Sequence, residues 1–380
     1  MRERGGILSY LTNMTLDELL QLLNFTTARE FIEEYDLTDD FEPIVKPLST
    51  KTVITLVVCY SLIFVLALVG NALVVIVISR KRSMQTVINL FILSLAISDL
   101  LIVVFCIPFT LIDALTVDWV LGSFMCKALN YITMVAIVAS VLTLTAIAFE
   151  RHHAICYPLR SRMIQSPKRA ALLLSILWGF SLILVSPLLI VLRVTEHDDV
   201  LALKKYKFCQ EIWRNKQQKK RFTIFLVVFL YIIPLITMII LYIRVAHRLW
   251  IRKAIAPGDV PQNNASRACS LRYKKRATKM LVTVVVLFAI CWLPYHIVSL
   301  ARDFSYLEDI SPNRLMLAVV QLIAFSNSFN NPVVYVFLND NFKRNFIKTL
   351  SILRRRQRRR SRVKRSSTGL MPPYDVATTL

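Results

Sequence analysis

The sequence predicts an all-α membrane protein, a bundle of seven transmembrane helices followed by a short amphipathic eighth helix. Residues 54–79, 128–149, 171–192, 222–243, 280–301 and 315–338 contain no Lys, Arg, Asp or Glu, and 87–112 contains Asp99 as its only charge. Each run exceeds the roughly 20 residues that a helix needs to cross hydrocarbon. The chain is 56% hydrophobic yet carries a formal charge of +23, so polarity is gathered into the connections. A soluble domain would instead interleave it every few residues. A transmembrane β-barrel would alternate apolar and polar residues in segments of about ten, and no stretch does so.

The chain divides into a tail (1–50), the helical bundle (51–338), an amphipathic helix (339–353) and a basic tail (354–380). The first 50 residues hold no apolar core of a cleaved signal peptide, so orientation must follow the loops. Arg80, Lys81 and Arg82 follow the first span, and Arg160, Arg162, Lys168 and Arg169 follow the third. Arg272, Lys274, Lys275, Arg276 and Lys279 precede the sixth. The positive-inside rule puts these ends in the cytoplasm and the N-terminus outside, as expected of a multi-pass plasma-membrane protein. One outer loop dissents: Lys204, Lys205, Lys207, Lys216, Lys219, Lys220 and Arg221 lie between or beside the fourth and fifth spans. Nucleic acid is excluded as the partner of this charge, because the basic residues flank spans, where they set topology and meet anionic membrane lipid.

In the outer tail, Asn13 and Asn24 head glycosylation sequons; a third, at Asn264, falls in a cytoplasmic loop and is expected to stay bare. Capping-box patterns at Thr15–Glu18 and Thr27–Glu30 mark two short helices that order on a partner, or else a disordered spacer. Of the seven cysteines, Cys59, Cys106 and Cys291 lie within spans, and Cys156 and Cys269 lie on the reducing side. Cys126 and Cys209 remain facing an oxidising compartment, and their pairing would fold the loop after the fourth span over the bundle mouth.

Asp99 raises a separate question. A carboxylate in mid-membrane costs on the order of 2.5–3.5 kcal/mol even on insertion scales, so it must face the bundle interior and find partners there.

The chain resembles the rhodopsin-like (class A) G-protein-coupled receptors along nearly its whole length. The matches fall in order: Gly70-Asn71, "LSLAISD" ending at Asp99, Glu150-Arg151-His152, Trp178, Pro234 with Tyr242, "FAICWLP" at 288–294 and "NPVVY" at 331–335. The stretches "SLAISDLLIVVFCIPFT" and "QLIAFSNSFNNPVVY", with the tail sequence, look like the receptors for peptides ending in Arg-Phe-amide. Neuropeptide FF, orexin and cholecystokinin receptors are neighbouring groups.

The resemblance implies a sodium ion, as allosteric modulator rather than cofactor, held by Asp99 with Asn71, Ser140, Asn327, Ser328 and Asn331. It implies a switch in which an agonist presses near Trp292, beside Pro294 and above Phe288, and swings the sixth span outward. Arg151 then leaves Glu150 for Tyr242, Tyr335 and a heterotrimeric G protein, Gq by subgroup with Gi as the alternative. Pro234, Pro294 and Pro332 each remove a backbone hydrogen bond in mid-span. An opsin would need a lysine in the seventh span, and an amine receptor an acid at Thr133; neither is present. A transporter would carry charges in several spans. An amidated peptide brings a guanidinium, for which Asp303 and then Glu211 are the matching carboxylates. Gln321, Thr110 and Thr133 match the amide-binding positions, Thr133 replacing the group's usual glutamine, and Trp292 and His296 complete the ligand set. No enzymatic chemistry is implied.

After the seventh span, Phe342, Phe346 and Leu350 recur at helical spacing beside Lys343, Arg344 and Lys348, which describes a helix lying on the membrane. The basic run 354–365 follows, then Ser366, Ser367 and Thr368 as phosphorylation sites for arrestin, and a terminal Thr-Thr-Leu of PDZ-ligand type. A constitutively active or scaffolding membrane protein is the rival reading.

Overall fold

A computed structural model describes residues 48–80, 84–116, 118–164, 166–199, 204–254, 261–304, 314–338 and 344. The sequons Asn13 and Asn24, the tail helices, most of the helix expected over 339–353, and the basic run, phosphorylation sites and PDZ-type terminus lie outside those residues.

The first span is α1, Thr50–Arg80. Its lipid face is an apolar stripe of Ile54, Val58, Leu62, Val65 and Val69, all exposed, at helical spacing. Its inner face closes on the seventh span. Tyr60, fully buried, donates 2.8 Å to the Ala318 carbonyl. A Cβ placed on Gly70 would sit 2.9 Å from the Pro332 ring, so only glycine permits this approach.

The second span is broken. α2 (Val87–Phe105) begins at Thr86, whose hydroxyl accepts from the Asn89 amide, and α3 (Ile107–Leu115) restarts with Pro108 in its first turn. Pro108 lacks the amide that a continuous helix would need, which explains the break at Cys106. The third span, α4 (Gly122–Cys156), starts at Gly122 with φ of 75°, in the left-handed region that favours glycine. It is followed by short α5 (Pro158–Ile164). The fourth span is α6 (Pro167–Val185) plus α7 (Leu188–Val191), separated at Ser186-Pro187.

The fifth span contains α8 (Lys216–Val227), a π-helical turn (Val228–Ile232) and α9 (Ile233–Ala254). The wide turn precedes Pro234: the Ile233 amide reaches back five residues to the Val228 carbonyl, absorbing the donor that proline cannot supply. α10 (Pro261–Phe304) and α11 (Arg314–Leu338) continue through Pro294 and Pro332 without a break.

Six of these helices are long and apolar enough by composition alone to cross a membrane, and α11 is not among them. Its shortfall comes from Ser326, Asn327, Ser328, Asn330 and Asn331. Asn327, Ser328 and Asn331 are buried in the bundle rather than turned to lipid. Neighbouring spans pack in a closed ring, first on second, second on third, third on fourth and fifth, fifth on sixth, sixth on seventh and seventh on first. The third span is therefore the central one.

Two strands stand outside this helical frame. β1 (Leu192–Asp199) and β2 (Lys204–Glu211) pair antiparallel between the fourth and fifth spans. Their register accounts for part of the dissenting outer charge. Glu196, Asp198 and Asp199 stand opposite Lys207, Lys205 and Lys204, and the Glu196–Lys207 pair closes to 3.4 Å. Three of the seven basic residues thus stand opposite acids of the same loop.

Candidate functional site

The outer mouth is built around a disulfide. Cys126 at the start of α4 is bonded to Cys209 in β2, with the two Cα atoms 5.6 Å apart. The hairpin is also tied to the first outer connection, where the Trp119 amide donates 2.8 Å to the Lys207 carbonyl and the Lys207 amide donates 2.9 Å to Asp118. At the other side of the mouth, Arg314 donates to the carbonyls of Asp113 and Thr116. It caps the C-terminal end of α3, where a cation is favoured, and ties the start of the seventh span to the end of the second.

Below the mouth lies an aromatic floor. Trp292 is buried, its ring 6.2 Å from Phe288, 5.9 Å from Tyr295 and 6.2 Å from His296. Tyr231 of the π-turn closes the cluster, 4.5 Å from His296, while its hydroxyl donates 2.7 Å to the Ala289 carbonyl across the fifth and sixth spans. The Trp292 indole N–H is buried with no acceptor among the described residues, so a carbonyl entering this space would find a donor waiting.

Asp303 lies eleven residues above Trp292 on the same helix, which is about three turns and roughly 16 Å, on the same face. Its side chain is 2% exposed. One carboxylate oxygen accepts 2.5 Å from the Thr223 hydroxyl, and the other is 3.0 Å from the Lys219 ammonium, both groups belonging to α8. The ammonium is close enough for an ion pair but out of line for a hydrogen bond, so Oδ1 has no aligned donor.

Mid-membrane, Asp99 is 1% exposed and accepts 2.8 Å from the Asn331 side-chain amide. Ser98 and Ser140 hydroxyls meet at 2.7 Å, and the Asn71 amide donates 2.8 Å to the Ser328 carbonyl. The side-chain oxygens of Asn71, Asn327 and Asn331 are buried without a donor. A carboxylate and buried amide oxygens of this kind are the donor chemistry of a hard cation, whereas no cluster of three His, Cys, Asp or Glu exists among the described residues for a softer metal. The residues fit a sodium ion.

At the end of the bundle away from the disulfide, Tyr242 is buried within electrostatic reach of Arg151, and Tyr335 is buried within reach of both Tyr242 and Asp99. Glu150 and Arg151 are both engaged in polar contacts.

A family model described as "7 transmembrane receptor (rhodopsin family)" matches residues 70–335. The protein is a rhodopsin-family G-protein-coupled receptor. Such receptors are not enzymes. This receptor is 43% identical over 371 residues to a QRFP-like peptide receptor of Branchiostoma floridae, covering 97% of the chain and 93% of the relative. It is 37% identical over 344 residues to the pyroglutamylated RF-amide peptide receptor of Mus musculus, covering 88% of the chain and 78% of the relative. Neuropeptide FF receptor 1 of Rattus norvegicus is 34% identical over 302 residues, 76% of the chain and 68% of the relative.

The sequence-predicted sodium residues Asp99, Asn71, Ser140, Asn327, Ser328 and Asn331 are all nine-tenths or more buried, and hydrogen bonds join Asp99 to Asn331, Asn71 to the Ser328 carbonyl and Ser140 to Ser98. The ligand residues are more dispersed. Glu211 is exposed at the end of β2 and accepts 2.8 Å from the Trp213 indole. Gln321 and Thr110 are half-buried. The Thr133 hydroxyl is already engaged, donating 2.6 Å to the Leu129 carbonyl and meeting the Cys106 thiol at 2.8 Å. Sequence reasoning missed Tyr231, Tyr295, Lys219 and Thr223. Only Tyr231 had a signal, its place one turn before Pro234.

Proposed function

We propose that this receptor lies in the plasma membrane with its N-terminus outside and answers a peptide ending in Arg-Phe-amide. It passes that signal to a heterotrimeric G protein, Gq in the first instance with Gi as the alternative. The ligand class rests on relatives named for RF-amide and QRFP-like peptides over most of the chain. The observation that carries the geometry is Asp303, a buried carboxylate three turns above the Trp292 floor on one helix face. An arginine side chain at Asp303 leaves the neighbouring phenylalanine amide to descend towards Trp292, His296 and the indole N–H. A guanidinium is the natural partner of such a carboxylate because it bonds with two parallel N–H groups.

The same reading puts sodium at Asp99. Agonist pressure on Trp292 moves the sixth span against the seventh, where Asn330 already reaches the Cys291 sulfur at 3.5 Å. The polar cluster then closes, the ion leaves, and Arg151 with Tyr242 and Tyr335 opens the cytoplasmic end. Arrestin follows through the phosphorylated tail at Ser366, Ser367 and Thr368.

Cells expressing the full chain test this with calcium and cAMP readouts across a panel of amidated peptides. The expected result is a calcium response to Arg-Phe-amide peptides that is lost when the amide is a free acid. A panel in which orexin-type or cholecystokinin-type peptides act and Arg-Phe-amide peptides do not would overturn it, and high basal signalling unmoved by any peptide would favour the constitutive alternative.

A further inference from the structure

We infer that Lys219 is a tethered stand-in for the ligand's cation: it neutralises Asp303 in the ligand-free receptor and must be displaced for the peptide arginine to bind, so it sets the receptor's affinity. The inference rests on the proposed role of Asp303 as the guanidinium partner.

Three observations support it. First, Lys219 is the ion-pair partner of Asp303 among the described residues, at 3.0 Å, with Asp303 2% and Lys219 32% exposed. A carboxylate this buried is costly without a counter-charge, and the lysine supplies one while keeping a route back to water along its flexible stem. Second, the pair is badly aligned. Asp303 Oδ1 has the charge nearby but no hydrogen bond from it, while Oδ2 is held by Thr223. An ammonium is a point charge, whereas a guanidinium presents two parallel donors, so the exchange favours the incoming arginine. Third, Lys219 lies in a run that local helix physics disfavours. Lys216, Lys219, Lys220 and Arg221 occupy the opening turns of α8, and no acid lies in its first turn. Cations at a helix N-terminus oppose the helix dipole. A residue that breaks a local rule calls for a compensating role, and for Lys219 the structure shows one, at Asp303. Lys220 has turned elsewhere, 5.3 Å over the Phe304 ring.

The consequence is competition. The binding-competent receptor is the fraction with Lys219 released, and apparent affinity falls by that fraction. Removing the lysine therefore tightens binding, and a better competitor weakens it.

The test uses full-length receptor at the cell surface, with a short synthetic peptide ending in Arg-Phe-amide and its citrulline counterpart, which is neutral but nearly the same shape. Lys219→Met is expected to raise affinity for the arginine peptide roughly tenfold and for the citrulline peptide by less, because a neutral head competes poorly for the carboxylate. Lys219→Arg, which keeps the charge and adds a bidentate head, is expected to weaken the arginine peptide, and it keeps the inference testable should Lys219→Met fail to reach the surface. Amine labelling read by mass spectrometry is expected to find Lys219 protected in the ligand-free receptor and released by Asp303→Asn. Weakened Asp303→Asn binding alongside unchanged or weakened binding by Lys219→Met would overturn the competition while leaving Asp303 as ligand partner. Unchanged affinity in Asp303→Asn would instead remove the role of Asp303, and the inference with it.

Discussion

Asp99 and Asp303 are both buried carboxylates in the same bundle, and they find their partners in different ways. Asp303, at the outer rim, has a cation from its own chain, Lys219 at 3.0 Å. Asp99, in mid-membrane, has a neutral amide, Asn331, and the side-chain oxygens of Asn71, Asn327 and Asn331 are buried without a donor among the described residues. The difference follows from depth. A lysine near a helix end can reach water when displaced, whereas one at mid-membrane would itself need neutralising. On the proposed reading the outer carboxylate exchanges one cation for another from outside, and the inner one takes a small ion. The first arrangement suits ligand recognition, and the second suits a conformational switch.

The largest expected effect removes the scaffold of the outer region alone. Cys126→Ala or Cys209→Ala releases β2 from α4, and loss of such a native crosslink costs on the order of 2–5 kcal/mol. Surface peptide binding is expected to vanish, while Cys59→Ala leaves it intact; normal binding with both thiols free by mass spectrometry would contradict this. Next, Asp99→Asn separates the two carboxylates functionally. On the proposed reading sodium favours the resting state and by linkage lowers agonist affinity. Agonist affinity compared in sodium and in a bulky organic cation is expected to differ in wild type and to be equal in Asp99→Asn. An equal sodium effect in both would detach the ion from Asp99.

Smaller effects probe the wall that joins the first and seventh spans, on which the inner cluster depends. Gly70→Ala puts a methyl 2.9 Å from the Pro332 ring. Overpacking of this kind costs about 1–3 kcal/mol, so a lowered melting temperature and a weakened sodium effect are expected together. An unchanged melt would mean that the first span shifts freely. The smallest effect is Tyr60→Phe, which removes the hydrogen bond to Ala318 at about 0.5–1.5 kcal/mol. It is expected to lower the melting temperature slightly and leave the ratio of affinities in the two salts unchanged.

The two regions were unequally legible in the sequence. The spans were readable because hydrocarbon tolerates few charges, so even a lone Asp99 marks the bundle interior. The resemblance named Asn71, Ser140, Asn327, Ser328 and Asn331, and all five are buried with Asp99. The disulfide followed from compartment, since Cys126 and Cys209 alone faced outward. What stayed hidden depends on register and tertiary contact. The hairpin Leu192–Asp199 with Lys204–Glu211 looked like an unbalanced basic loop, because the acids opposite its lysines are visible only once the strands pair. Pro108 broke the second span where an unbroken run was expected, and Pro234 produced a π-turn rather than a simple kink. Lys219 could not be singled out among neighbouring lysines until α8 and α10 were packed together.

The contact between Asp303 and the ligand's arginine is tested most directly by a double-mutant cycle combining Asp303→Ala with an arginine-to-alanine peptide. Each change alone is expected to cost about 1.5–3 kcal/mol, or roughly one to two decades in affinity. Combined, they are expected to add little beyond either alone, because the first change already removes the contact that the second would break. Fully additive losses would show that the two charges never meet, and Glu211 would become the carboxylate to pair with the peptide.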